Sequence, residues 1–308
     1  MFTDYDVIVV GSGCAGLAAS LYTARAGFET LVLEKENVGG ELVSRQMIEN
    51  YPGFPEGVMG PDLAGNMLKQ CENFGVEFQN GEVVSIKDKG SYKIVKTEDD
   101  QFTCKGIVLA CGSVPKKLEC PGEAELDGKG VFYCATCDGA ACAGKSVAVA
   151  GGGDSGLTEA LYLTRLGCKV TVLVSRDKAR ASQVLVDRAE EDENIELLYS
   201  SRACGITGSD WVDGVEVLDR VSGETKHLDV EGIFIRIGQK PNSEFLSGII
   251  ELAETGQVPV DENMKTAIDG IYACGDLREK SPMQVSTGVG DGVIAATNLI
   301  RYLNTLEG

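Results

Sequence analysis

The chain has 308 residues, 43% of them hydrophobic and 24% charged, and is long enough for two domains that each bury a core. Because 28 basic residues stand against 47 acidic ones, the formal net charge is -19, which argues against a nucleic-acid partner, since phosphate-binding surfaces need clustered cations. The apolar runs are strand-length and no charged-then-apolar leader precedes them, so we expect no membrane partner and a cytoplasmic location.

An internal repeat organises the chain, because residues 6–34 align without a gap with residues 146–174. Each copy is predicted to form an apolar strand, a G-x-G-x-x-G turn, an amphipathic helix and a second strand. Such glycines let the backbone approach a pyrophosphate and direct a helix N-terminus at its charge. Two copies in this context indicate two dinucleotide sites. The turn glycines are Gly11, Gly13 and Gly16 in the first copy and Gly151, Gly153 and Gly156 in the second.

The residues after the second strand distinguish the two copies. Glu34 lies 23 residues beyond Gly11, where a carboxylate can accept hydrogen bonds from a ribose, as in the adenosine half of FAD. The second copy has Val174 at the equivalent position, followed by Arg176 and Arg180. Guanidinium groups without the acid suit an adenosine 2′-phosphate, which favours NADPH over NADH. Alternatively, these arginines only solvate the start of a helix.

The flanking segments indicate how the two units are joined. A strand and turn at residues 107–113 precede the second copy, and another pair at residues 270–277 leads into a glycine-rich helix. We therefore predict an α/β protein with two Rossmann-like three-layer dinucleotide-binding domains, the second inserted into the first. The FAD-binding domain would span residues 1–115 and 245–308, and the inserted domain, which carries the dithiol described next, residues 118–243.

Cys134 and Cys137 form a C-x-x-C pair just before the second copy, and Asp138 follows directly. A structural zinc site needs four ligands, but the chain has no second C-x-x-C pair and only one histidine, His227, remote in sequence. A static crosslink over two intervening residues adds little in a reducing compartment. We therefore interpret the pair as a redox dithiol with Asp138 as its acid, although this carboxylate could also cap the backbone after Cys137.

With these motifs in place, the chain resembles low-molecular-weight thioredoxin reductases over nearly its whole length. The segments that carry the resemblance are GSGCAG (11–16), GGEL (39–42), ENYPGFP (49–55), CATCDG (134–139), GGGDSG (151–156), IGQKPN (237–242) and CGD (274–276). The resemblance implies a homodimer that passes a hydride from NADPH through FAD to the Cys134/Cys137 disulfide. That dithiol would then reduce the disulfide of thioredoxin or of a glutaredoxin-like protein.

The resemblance also implies roles for individual residues. The expected flavin contacts are Gly11, Gly13, Gly16, Glu34, Gly40, Asn50, Asp276 and Gln284. The expected nucleotide contacts are Gly151, Gly153, Ser155, Gly156, Arg176 and Arg180. Cys137 would be the sulfur nearer the flavin, Cys134 the sulfur that attacks the partner disulfide, and Asp138 the acid. No metal is expected.

Two departures from the family pattern concern the electron donor. Ser175 stands where the family usually has an arginine, and Arg236 stands where it usually has a small residue. NADH, ferredoxin or a deazaflavin as donor therefore stay open, as do a dithiol oxidase that uses oxygen and a non-enzymatic redox sensor. The intact second glycine turn with Arg176 and Arg180 favours NADPH.

Most of the eleven cysteines lack the spacing of a disulfide scaffold and are expected to be free thiols. Cys14, Cys111 and Cys274 lie in turns that we expect to cluster about the flavin. They are either further redox sulfurs or small core residues, and the second interpretation is the simpler one.

The assignment of the dithiol predicts the behaviour of Cys137→Ser. This variant should keep a bound flavin that the electron donor still reduces, because the serine removes only the next electron acceptor. Reduction of thioredoxin should be abolished, as measured by the appearance of free thiols. Retained thioredoxin reduction in this variant would show that the electrons leave by another route.

Overall fold

The computed structural model describes residues 3–44 and 47–306. The chain divides into two compact units, one formed by residues 1–114 and 241–308 and the other by residues 115–240. Within the described ranges, no helix has both the length and the apolar character needed to cross a membrane.

The bounds of the helices and strands are as follows. The α-helices are α1 (Cys14–Arg25), α2 (Gly60–Glu72), α3 (Ala135–Asp138), α4 (Asp154–Arg165), α5 (Gln183–Glu191) and α6 (Val285–Leu306). The strands are β1 (Tyr5–Val10), β2 (Thr30–Glu34), β3 (Met47–Ile48), β4 (Val58–Met59), β5 (Glu77–Asn80), β6 (Val83–Asp88), β7 (Lys93–Thr97), β8 (Gln101–Leu109), β9 (Ser113–Pro115), β10 (Val131–Phe132), β11 (Ser146–Ala150), β12 (Lys169–Val174), β13 (Ile195–Tyr199), β14 (Ser201–Gly208), β15 (Val212–Asp219), β16 (Thr225–Leu228), β17 (Ile233–Ile235), β18 (Gln239–Pro241) and β19 (Ile271–Ala273).

The first unit is built on a sheet in the order β5-β2-β1-β8-β7-β6, with β19 also paired to β8. Strands β5, β2, β1, β8 and β19 run parallel, whereas β6, β7 and the start of β8 pair antiparallel. Strand β1 is buried on both faces, which explains its unbroken apolar run. Val7 and Val9 pack against the helices on one face, and Ile8 and Val10 join a second cluster on the other.

Helix α6 packs closely on α1 because glycines of α6 face it. A Cβ atom at Gly292 would overlap the carbonyl group of Ala15, and one at Gly288 would lie 2.8 Å from the Sγ atom of Cys14. Any larger residue at either position would separate the helices. The packing places the first turn of α6 beside the start of α1, where the first glycine turn lies.

The second unit has three layers around a parallel sheet in the order β10-β17-β11-β12-β13. Alternate residues of β11 enter two cores, as the period of a strand requires. Val147 and Val149 pack with α4 and α5, whereas Ala148 and Ala150 pack with the antiparallel sheet β14-β15-β16. The predicted α/β class is confirmed, and α4 begins and ends 140 residues after α1, at the spacing of the sequence repeat.

Candidate active site

The first glycine turn combines close packing with an open helix terminus. Gly11 has a φ of +97° and lies against the carbonyl of Ala110, and a Cβ atom at Gly16 would overlap the carbonyl of Gly11. Only glycine fits both positions, so α1 starts directly beneath the end of β1. Gly13, by contrast, faces open space, and no side chain caps the helix there. The free N–H groups of this terminus suit a pyrophosphate.

Glu34 ends β2 at the rim of this turn. Its Oε2 atom accepts hydrogen bonds from the Ser12 N–H at 2.8 Å and the Ser12 hydroxyl at 2.7 Å, and its Oε1 atom accepts one from the Glu36 N–H at 3.1 Å. These contacts fix the direction of the carboxylate. A carboxylate has about four acceptor positions, so capacity for a ribose hydroxyl remains.

Other predicted flavin contacts that are distant in sequence lie together in two pairs. Gly40 lies against the backbone of Gly13, since a Cβ atom at Gly40 would lie 3.1 Å from the Cα atom of Gly13. The Asn50 amide donates to the Oε1 atom of Gln284 at 2.8 Å across 234 residues of sequence, and both side chains are exposed. The tertiary fold therefore brings both members of each pair together.

Asp276 lies in the short turn after β19, and this turn is held by a buried ion pair that sequence analysis missed. The Asp291 carboxylate of α6 accepts a hydrogen bond from the Gly275 N–H at 3.3 Å. Arg278 donates to both oxygens of the same carboxylate, at 2.7 and 3.1 Å. The one sequence signal was a lone carboxylate inside an apolar, glycine-rich helix.

The second glycine turn repeats the geometry of the first. Gly151 has a φ of +131° and lies against the Arg236 carbonyl, a Cβ atom at Gly156 would overlap the Gly151 carbonyl, and Gly153 faces open space. Ser155 is exposed in the first turn of α4. The second unit therefore offers the same uncapped helix terminus as the first.

The loop after β12 folds back onto this turn. The Arg180 N–H donates to the Gly152 carbonyl at 2.8 Å, and the Ser182 N–H donates to the Asp154 carboxylate at 2.6 Å. Arg176 and Arg180 are exposed, and among residues 3–44 and 47–306 no carboxylate forms an ion pair with either guanidinium group. Both groups are therefore free to bind a phosphate.

Arg236 faces the dithiol segment instead of this loop. Its Nε atom lies 3.1 Å from the Glu159 carboxylate, and both side chains are about 95% buried or more, with exposures of 3% and 5%. Arg236 also donates to the Tyr133 carbonyl at 2.9 Å, and Glu159 accepts from the Ala135 N–H at 3.3 Å. The pair thus holds the peptide groups on both sides of Cys134.

Cys134 and Cys137 are joined as a disulfide at the start of α3. The half-buried Sγ atom of Cys134 accepts a hydrogen bond from the Cys137 N–H at 3.2 Å and lies 3.1 Å from the Thr136 hydroxyl. Donors at the start of a helix stabilise a thiolate, and the thiolate is the attacking form of a cysteine. Cys137 is the more exposed residue of the two.

Asp138 has the properties of a proton donor. Burial, and secondly the charge of Asp127, raise the pKa of the Asp138 carboxyl above its usual value. Its side chain makes no capping hydrogen bond to the following turn, so the capping alternative is not realised. A raised pKa keeps part of the carboxyl protonated closer to neutral pH.

This combination of two glycine turns and a C-x-x-C disulfide agrees with the comparisons with known proteins. The profile of the pyridine nucleotide-disulphide oxidoreductases matches residues 5–292. The chain belongs to this family. Membership of this family implies flavin and nicotinamide cofactors.

The family members most informative for this chain are thioredoxin reductases. That of Bacillus subtilis is 40% identical over 304 residues, which cover 98% of this chain and 96% of that protein. The crystal structure of Lactococcus lactis thioredoxin reductase in its FR conformation has a TM-score of 0.96 at 42% identity and covers 98% of this chain and 100% of that one. The crystal structure of T. acidophilum thioredoxin reductase has a TM-score of 0.92 at 33% identity and covers 98% of this chain and 98% of that one.

These comparisons confirm the resemblance to low-molecular-weight thioredoxin reductases and the fold of two Rossmann-like domains. The chain is an oxidoreductase of this type.

The three other cysteines that were expected near the flavin, Cys14, Cys111 and Cys274, are poor nucleophiles. Burial, and secondly Asp276, raise the pKa of Cys14 to about 12, and burial raises that of Cys111 to about 12. Burial also raises the pKa of Cys274 well above its usual value. Thiols with such pKa values stay protonated at neutral pH, which favours the interpretation as core residues.

The Arg278–Asp291 pair predicts a specific loss of flavin. Asp291→Asn removes the charge that holds the Asp276 turn, and breaking a buried pair costs about 3–5 kcal/mol of folding free energy. We expect a lower flavin-to-protein ratio after purification and unfolding at a lower urea concentration. Asp269→Asn is the matched control, because it breaks an exposed pair with Lys265 and should change neither quantity. Full flavin content in Asp291→Asn would show that the turn does not depend on this pair.

Proposed function

We propose that this chain is an NADPH-dependent thioredoxin reductase that uses FAD. The observation that carries the proposal is the Cys134–Cys137 disulfide, placed at a helix start in the same unit as a dinucleotide-type turn. When bound, the flavin supplies the two-electron step between a nicotinamide and a disulfide. The names of the relatives support thioredoxin as the partner, and a glutaredoxin-like protein has the same disulfide chemistry.

FAD binding is assigned to the first glycine turn and its surroundings. The N-terminus of α1, opened by Gly11, Gly13 and Gly16, would bind the pyrophosphate. Glu34 would accept a hydrogen bond from the adenosine ribose, as its remaining acceptor capacity allows. The other proposed flavin contacts are Gly40, Asn50, Asp276 and Gln284.

NADPH binding is assigned to the second turn. Gly151, Gly153 and Gly156 open the N-terminus of α4 to the pyrophosphate, and Ser155 presents its N–H and hydroxyl groups there. Arg176 and Arg180 would bind the 2′-phosphate as charge-assisted donors. NADH lacks this phosphate, so the two arginines favour NADPH.

The reduced dithiol would act by thiol-disulfide exchange. The Cys134 thiolate attacks one sulfur of the partner disulfide and forms a mixed disulfide, and the sulfur that leaves takes a proton from Asp138. Cys137 then attacks Cys134, which reforms the intramolecular disulfide and releases the partner as a dithiol. Two electrons and two protons pass to the partner in each cycle, and NADPH restores the two electrons.

Three further assignments rest on the resemblance and the sequence. We propose that the FAD-binding domain comprises residues 1–115 and 245–308 and that the NADPH-binding domain comprises residues 118–243. We also propose a homodimer of the 32.6 kDa chain. Nine cysteines are free thiols among the described residues, which supports a reducing compartment such as the cytoplasm.

Anaerobic stopped-flow mixing tests the proposed donor. The purified yellow protein is mixed with NADPH or with NADH, and the loss of flavin absorbance is followed. Rapid bleaching by NADPH and slower bleaching by NADH at equal concentration are expected, because only NADPH offers a phosphate to Arg176 and Arg180. Absence of bleaching by both nucleotides would reject NADPH and favour ferredoxin or a deazaflavin.

The raised pKa of Asp138 predicts a pH signature. Since the acid must carry its proton to protonate the leaving sulfur, thioredoxin reduction should decline as the pH rises through the pKa of Asp138. Asp138→Asn should slow the exchange step by roughly 10²–10⁴-fold and remove this decline. Reduction of the flavin by NADPH in the same variant is the control and should be unchanged. An identical pH profile in Asp138→Asn and the parent enzyme would contradict the acid role.

A further inference from the structure

A third arginine, Arg220, lies beside the loop that carries Arg176. It belongs to the turn between β15 and β16, far from that loop in sequence. The Arg220 N–H donates to the Ser200 carbonyl at 2.8 Å, and the Ser200 N–H donates to the Arg176 carbonyl at 2.8 Å. Two consecutive backbone hydrogen bonds therefore fix the position of Arg220 relative to Arg176.

The side chain of Arg220 reaches the end of β12. Its Nη1 atom donates to the Ser175 carbonyl, the group immediately before Arg176. A guanidinium group has five N–H donors, and this contact uses one of them. The side chain is exposed, so the remaining donors face solvent at the place where the loop after β12 begins.

The charges around Arg220 favour an anion. The neighbouring carboxylate of Asp219 accepts hydrogen bonds from the Val221 and Ser222 N–H groups, at 2.8 and 3.1 Å, and so closes its own turn. In the part of the chain that the structure describes, no carboxylate forms an ion pair with the Arg220 guanidinium. The charge of Arg220 is therefore not neutralised by a direct carboxylate partner within these ranges.

We propose that Arg220 is a third guanidinium of the adenosine 2′-phosphate site, together with Arg176 and Arg180. The inference rests on the proposed use of NADPH and deepens it, because it names a residue that distinguishes NADPH from NADH. The contact with the Ser175 carbonyl orients the planar guanidinium group at the rim of the site. An arginine held in this way can offer two parallel donors to a phosphate, which a lysine cannot.

Calorimetric titration of the flavin-loaded protein with 2′,5′-ADP and with 5′-AMP tests the proposal without turnover. The two probes differ by the 2′-phosphate alone. Arg220→Met should weaken 2′,5′-ADP binding by roughly tenfold to a hundredfold and leave 5′-AMP binding unchanged. Arg220→Lys keeps the charge but lacks the planar fork, and it should lie between the parent protein and Arg220→Met.

Arg165→Met is the matched control. It removes the same charge from the exposed C-terminal end of α4, roughly 17 Å along the helix from the second glycine turn, and should change neither affinity. Circular dichroism and the flavin-to-protein ratio verify that each variant is folded.

The outcomes separate this inference from the proposed function. If the parent protein prefers 2′,5′-ADP and Arg220→Met prefers it equally, Arg220 has no part in the site and only this inference fails. If Arg220→Met weakens both probes to the same extent, Arg220 merely supports the loop, and the inference also fails. If the parent protein does not distinguish the two probes, the proposed preference for NADPH itself is wrong.

Discussion

Both nucleotide-type sites depend on one steric constraint, the contact between the third glycine of a turn and the carbonyl of the first. Gly16 touches Gly11 in one unit, and Gly156 touches Gly151 in the other. Because no Cβ atom fits between them, each helix can begin immediately at the end of its strand. The uncapped N–H groups of the helix then point into open space beside the middle glycine. The rest of each site is arranged around that terminus.

The dithiol depends on a different interaction, the buried ion pair of Arg236 and Glu159. Its members hold the Tyr133 carbonyl and the Ala135 N–H, so the backbone on both sides of Cys134 is fixed. A buried ion pair carries a large desolvation cost, and it is tolerated where each partner has further hydrogen bonds. Here the further hydrogen bonds are made to the Tyr133 and Ala135 backbone groups, on either side of Cys134. The Cys134 sulfur is thereby positioned beside the hydrogen-bond donors at the start of α3.

Charge is distributed unevenly in this acidic protein. Arg176, Arg180 and Arg220 surround the end of β12 without carboxylate partners among the described residues. The net charge of -19 repels a phosphate, so the local positive charge of these arginines is what can offset that repulsion at this place. Around the first turn, by contrast, the carboxylates already have hydrogen-bond partners. Glu34 accepts a hydrogen bond from the Ser12 hydroxyl, and Asp291 accepts one from Arg278. The two sites thus have the same backbone geometry and differ in the charged side chains around it.

The sequence by itself determined the elements and chemistry that depend on local pattern. The glycine spacing predicted both strand-turn-helix units, and the C-x-x-C spacing predicted a pair of sulfurs close enough to bond, because neighbours along the chain decide both features. Only the tertiary structure decided which distant residues meet. The Asn50–Gln284 hydrogen bond, the Arg278–Asp291 pair and the approach of Arg220 to Ser175 join segments with no common motif. Arg236 shows the same limit. The sequence linked it only to the choice of electron donor, but its side chain is buried against Glu159 and faces the dithiol, because a buried guanidinium needs a buried carboxylate.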